Sequence, residues 1–129
     1  MATKQDVERN EAIAELRKLG VRPGVKILTK VTHVARSEMS RTIACYIVKR
    51  GEVREISHLV ARATGHTCGA DGAVKIGGCG MNMCFQLVYL LGRAMFPRGG
   101  SLKHSPRAYQ EREVGRETDG GYLLKYADL

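Results

Sequence analysis

Tryptophan is absent from the 129 residues, which hold only two phenylalanines and five tyrosines. So few rings argue against a broad aromatic platform on which single-stranded nucleic acid could stack. Acid is the minority charge, with 13 Asp and Glu against 21 Lys and Arg. Long apolar runs are missing too. The longest cluster, Met83 to Leu91, is interrupted by Gln86 and is too short to span a bilayer. The opening residues Met1-Ala2-Thr3-Lys4-Gln5-Asp6 are polar and do not read as a secretory leader. Together these absences predict a cytoplasmic protein whose four cysteines are thiols rather than disulfides. No internal repeat and no low-complexity tract is present.

What remains is the composition of an ordinary globular domain, 43% hydrophobic and 26% charged. A chain of this length suits one domain over residues 1–129 and buries roughly two thirds of its unfolded surface, so its core needs no metal or disulfide. The formal charge of +8 is unevenly spread. Between Arg22 and Arg54, eight basic residues (Arg22, Lys26, Lys30, Arg36, Arg41, Lys49, Arg50, Arg54) face two acidic ones, Glu38 and Glu52. Such a concentration favours an anionic partner, although a solvated surface alone gives the same count.

Periodicity predicts an α+β fold. Thr3 and Asp6 have the spacing of a capping box, and Ala12, Ile13, Leu16 and Leu19 recur at helical intervals, giving an N-terminal helix over Asp6–Leu19 that ends at Gly20. Val25–Ala35 alternates as a strand, with Val25, Ile27, Thr29 and Val31 on one face and Lys26, Leu28, Lys30 and Thr32 on the other. After a polar turn at Arg36–Ser40, Arg41–Lys49 alternates again, with Ile43, Cys45 and Ile47 against Thr42, Ala44, Tyr46 and Val48. Arg50-Gly51 turns the chain into Glu52–Ile56, which completes a three-stranded antiparallel meander. Ser57 is placed to cap a short helix through Ala63 that Gly65 terminates. Gly65–Ala73 reads as a loop, Val74–Ile76 as a minimal strand, and Met81–Phe96 as a central buried helix stopped by Pro97. Arg98–Gly121 is expected to be a long mobile loop, and Tyr122–Tyr126 an edge strand. The expected architecture is a mostly antiparallel sheet, a meander plus short strands, packed against the central helix.

Four constellations could carry chemistry. In Val74–Asn82 a strand meets a helix through glycines, so free backbone amides and the helix dipole would meet an anion at Gly78, Cys79, Gly80 and Asn82. The stretch lacks the Gly-Lys-Ser/Thr of a phosphate loop and the third glycine of a dinucleotide fingerprint, and glycines there also serve close packing. Cys79, just before the helix, would have a lowered pKa and is the one catalytic candidate, provided a histidine stands near it. His66, Cys68, Cys79 and Cys84 are the only zinc candidates. They form no C-x2-C knuckle, and Cys84 turns away from Cys79 on a helix, so neither a metal nor another cofactor is expected. Last, Lys26 and Lys30 share a strand face and Arg36 and Arg41 flank the first hairpin turn, together a basic contact face able to track a phosphate backbone, or simply an edge protected from strand pairing.

Three blocks, "VTHVARSEMSRTIACYIVKRGE", "VKIGGCGMNMCFQLVYLLGRAMFP" and "TDGGYLLKYADL", resemble a family of small bacteriophage and prophage proteins. That family carries Arg-Ser-Gly-Met-Ser-Arg, Gly-Gly-Cys-Gly-Met-Asp-Met-Gly-Phe and Asp-Gly-Gly-Tyr in the same order. Here Glu38, Asn82 and Cys84 stand where the family pattern has Gly, Asp and Gly. The resemblance implies an accessory protein of a phage or mobile element acting in bacterial cytoplasm, and anti-CRISPR or other anti-defence inhibition is a class such proteins fill.

The leading expectation is therefore a non-enzymatic inhibitor that captures a host defence effector, or its nucleic acid or nucleotide signal, in stoichiometric fashion. Two alternatives stand beside it: a nucleic-acid-binding protein of the phage replication or packaging programme, and a cysteine-dependent enzyme using Cys79. An exposed strand edge leaves room for a homodimer.

Overall fold

The computed structural model describes residues 3–77, 83–96 and 119–123. The elements run α1 (Lys4–Lys18), β1 (Lys26–Ala35), β2 (Ser40–Lys49), β3 (Glu52–Glu55), α2 (Ser57–Thr64), β4 (Thr67–Cys68), β5 (Val74–Gly77), α3 (Met83–Met95) and β6 (Asp119–Leu123). The expected α+β fold with an N-terminal helix is the one found. Residues 98–118 lie outside the described residues, as does Pro97. Gly120 and Gly121, read from sequence as loop, belong to β6.

α1 starts where its polar ends can be satisfied. The Asp6 amide donates to Thr3 Oγ1 at 3.1 Å and the Thr3 amide donates to Asp6 Oδ2 at 3.1 Å, a reciprocal capping box. The Thr3 amide, and then its hydroxyl, hold the Asp6 carboxyl below its usual pKa. The helix ends at Gly20, whose φ of 96° is open to glycine and strained for other residues.

β2 is the centre of the sheet. Every strand pairing is antiparallel, and the order is β4-β5-β2-β1-β6 with β3 also on β2. β1 lies along one β2 edge from Ser40 to Ile47. The other edge is shared: Ser40–Ile43 pairs with β5 and Tyr46–Lys49 pairs with β3. Between those segments Cys45, which pairs with Thr29 on the β1 side, meets no strand on this edge, and its backbone polar groups are met by the chain leaving β3. The Ile56 amide donates to the Cys45 carbonyl at 2.8 Å. The Cys45 amide donates to Ser57 Oγ at 2.9 Å, and that hydroxyl in turn donates to Glu55 Oε2 at 2.8 Å. Ser57 is therefore not the expected cap. Ile56 holds the N-cap position of α2 without a side-chain cap bond, because the buried strand amide claims the serine first.

All three helices cover one face of the sheet. Ile27, Ile43, Cys45, Ile47, Val74 and Ile76 project from the strands into a core with Leu16 of α1, Val60 and Ala63 of α2, and Leu87, Val88 and Leu91 of α3. α2 lies between α1 and α3 and also reaches β2, β4 and β5. α3 is less enclosed than its apolar sequence predicts, since Gln86 and Arg93 stay exposed. No helix among the described residues is long and apolar enough to cross a membrane.

Three local features differ from the expected pattern. Thr32 forms a bulge: its neighbours Val31 and His33 pair with Ile43 and Thr42, leaving Thr32 without a partner residue on β2. The bulge puts the Thr32 hydroxyl 2.7 Å from that of Thr42 and brings His33 onto the open face. The stretch read as a Gly65–Ala73 loop contains β4, which adds a short edge to β5. β6 starts at Asp119, three residues before the expected strand, and pairs with Lys26–Lys30.

Ser57→Ala should remove the acceptor from a buried amide while leaving the packing shape almost unchanged. The expected loss is about 1–3 kcal/mol, read as a lower urea midpoint at unchanged slope. A loss within error would mean that the Cys45 amide is satisfied in another way.

Candidate anion-binding groove

The glycine corner is bracketed rather than seen. β5 ends at Gly77 and α3 begins at Met83, so a strand precedes the corner and a helix follows it, while Gly78, Cys79, Gly80 and Asn82 lie outside the described residues.

The four residues of the expected basic face do not share one surface. Lys26 and Lys30 are exposed and face away from the helices, next to Leu28. Arg36 is exposed in the β1–β2 turn. Arg41 is only 6% exposed and sits opposite Ile76, in the same alternating set as Ile43, Cys45 and Ile47, which is the helix-facing set. The open face is also partly occupied. A Cβ on Gly69 would come within 2.6 Å of Thr42 Cγ2, so the loop after β4 is pressed against that face. Asp71 in this loop is held below its usual pKa, first by the Thr32 hydroxyl and then by the Ala73 amide.

Of the zinc candidates, Cys79 lies outside the described residues and the other three have separate settings. His66 Nδ1 lies 2.8 Å from Thr64 Oγ1, Cys68 is exposed on β4, and Cys84 is buried in α3. Among the described residues no group of three or more His, Cys, Asp or Glu is placed to hold a metal ion.

Five cations gather at the far end of the sheet. Past Ile47 the β2–β3 hairpin runs beyond the core and overhangs the C-terminal end of α1. The register pairs Ile47 with Arg54 and Lys49 with Glu52, which sends all four side chains to the helix side. Opposite them stand Lys18 and Leu19. The hollow between has a volume of about 500 Å³ and is lined by Lys18, Leu19, Ile47, Lys49, Arg50, Glu52 and Arg54. A second hollow of about 310 Å³ adjoins it through Leu19, Ile47, Lys49 and Arg50, adding Arg22, Val25 and Val48. Lys49 Nζ would lie 3.7 Å from a Cβ on Gly20, so its charge sits at the negative end of the α1 dipole. Five cations and one carboxylate thus ring a groove with an apolar floor. Among the described residues the only ion pair is Lys75–Glu38 at 3.2 Å, on another part of the surface.

The charge count between Arg22 and Arg54 included four of these cations, but alternation within single strands could not group them. The local signal was "VKRGEVR", a charged hairpin whose turn is Arg-Gly.

No family model, no curated protein and no solved structure matches this chain. The groove is therefore judged on its own chemistry.

Two outcomes follow for the titratable groups described above. Burial pushes the Cys45 thiol far up, and Cys84 is buried beside the same core, whereas Cys68 is exposed. In a Cys79→Ser background, Ellman's reagent should titrate one thiol quickly in the native protein and two more only after unfolding. A second fast thiol would contradict this burial pattern. Burial also lowers the pKa of His66. The unfolded chain then binds the proton more readily, so stability should fall as pH drops below about 6.5 and be unaffected above it. The check is the urea midpoint of wild type against His66→Gln between pH 5 and 7.5. Parallel curves would show that His66 is not the group responsible.

Proposed function

We propose that the chain is a non-enzymatic binding protein that captures a nucleic acid or nucleotide through the groove between α1 and the β2–β3 hairpin. The observation that carries this reading is the ring of Lys18, Arg22, Lys49, Arg50 and Arg54 around an open hollow with Glu52 as its one acid. Cations held near one another without carboxylate partners repel each other, and a polyanion relieves that repulsion while releasing its own counter-ions. The enzymatic alternative rests on Cys79, which lies outside the described residues.

The resemblance of three sequence blocks to small phage and prophage proteins extends the proposal to biology. The protein is read as an accessory inhibitor that blocks a bacterial host defence by holding the nucleic acid or nucleotide on which an effector depends. Lys26 and Lys30, on the opposite face, are assigned no contact in this reading.

Charge reversal separates the two surfaces. Lys49→Glu with Arg54→Glu should weaken binding of a labelled oligonucleotide at least tenfold in fluorescence anisotropy. The same change should reduce the slope of log K against log salt by about 1.4–1.8, the value for two lost phosphate contacts. Lys26→Glu with Lys30→Glu should change affinity less than about threefold. A flat salt response, or equal losses from both pairs, would overturn the assignment to the groove.

A further inference from the structure

We infer that the groove is a nucleoside-phosphate site in which Arg50 clamps the phosphate, an inference that rests on the anion-binding reading above. At about 500 Å³ the main hollow falls within the size range of small-ligand clefts. Its lining has two parts. Leu19 and Ile47 form an apolar floor, and Lys18, Lys49, Arg50 and Arg54 form a cationic rim. A bare phosphate has no use for the floor, and an apolar ligand leaves the cations unmatched. A nucleoside phosphate answers both, with a flat base for the apolar side chains and anionic oxygens for the guanidinium groups. Glu52 is the single carboxylate in the lining and suits a ribose hydroxyl or a base amine.

The turn adds an independent argument. Arg50 has a φ of 53° and Gly51 a φ of 80°, the left-handed pair of a two-residue hairpin loop. Asn, Asp or Gly takes the first of these positions with least strain, yet an arginine holds it. Its side chain lines both hollows. Strain kept at a position that lines a cleft marks a residue retained for binding rather than for folding. Among the described residues the other non-glycine with a left-handed backbone, Met39 at φ 51°, lines neither hollow and serves as the internal control.

The test compares Arg50→Asn, Met39→Asn and wild type by calorimetric titration and thermal melting. Both variants relieve the same backbone strain, so both should melt at or above the wild-type temperature. Only Arg50→Asn should weaken ATP binding, by about tenfold or more. ATP should bind wild type more tightly than pyrophosphate, because the base adds contacts. Tighter binding of a 5′-phosphorylated ten-nucleotide strand than of ATP would place the nucleotide at a strand end, and the reverse would make it a free nucleotide; either supports the site, provided Arg50→Asn weakens it. Equal affinity for ATP and pyrophosphate, or unchanged ATP binding in Arg50→Asn, overturns the inference. Strand binding that depends on Lys49 and Arg54 but not on a nucleotide terminus overturns it while leaving the proposed function intact. If no nucleotide or strand binds, both fall.

Discussion

The hydrogen bond from the Cys45 amide to Ser57 Oγ is a small contact on which much of the architecture depends. β2 is the strand that all the others are built around, and one of its edges is divided between β5 and β3. A divided edge leaves a gap, and a gap in a buried strand leaves polar backbone groups facing apolar side chains. Ile56 and Ser57 fill it while the chain turns out of the sheet and into α2. The same two residues thus finish β3, complete the hydrogen bonding of β2 and fix where α2 begins. Because α2 lies between α1 and α3, its starting point sets the position of the helical layer.

Local rules made much of the fold legible. The Thr3–Asp6 box, the left-handed glycines at Gly20 and Gly65 and the Arg50-Gly51 turn each rest on a few consecutive residues, and each is present. Ser57 was misassigned because a serine before a helix has two possible employers, and only the tertiary gap beside Cys45 decides between them. The Thr32 bulge and β4 have the same origin: Thr32 bonds across to Thr42, and β4 exists only because β5 offers it an edge.

The site was less legible than the fold, for two different reasons. Arg41 could have been read correctly. The period-two pattern that sends Ile43, Cys45 and Ile47 inward sends Arg41 inward with them, but its charge argued for the surface. The groove could not have been read. It needs the end of α1 and the tip of a hairpin to meet across the intervening strand β1, and no pattern within either segment encodes that meeting. Charge counting found the right stretch of chain and missed the grouping, because Lys26 and Lys30 leave β1 on the open face while Lys49 and Arg54 leave the hairpin on the helix side.

β3 has a further consequence. All four of its residues are exposed, and it pairs with β2 alone. Val48 and Val53, opposite each other near the hairpin end, are 44% and 62% exposed. One wall of the groove therefore ends in a hairpin tip, residues 48–53, all of them exposed, and the other is a helix end fixed by Leu16 and Val21. A tip of this kind bends at small cost, since the nearest buried side chain, Ile47, lies before it. A ligand taken up there would set the width of the groove, and its affinity would carry an ordering term that a rigid cleft of the same lining lacks.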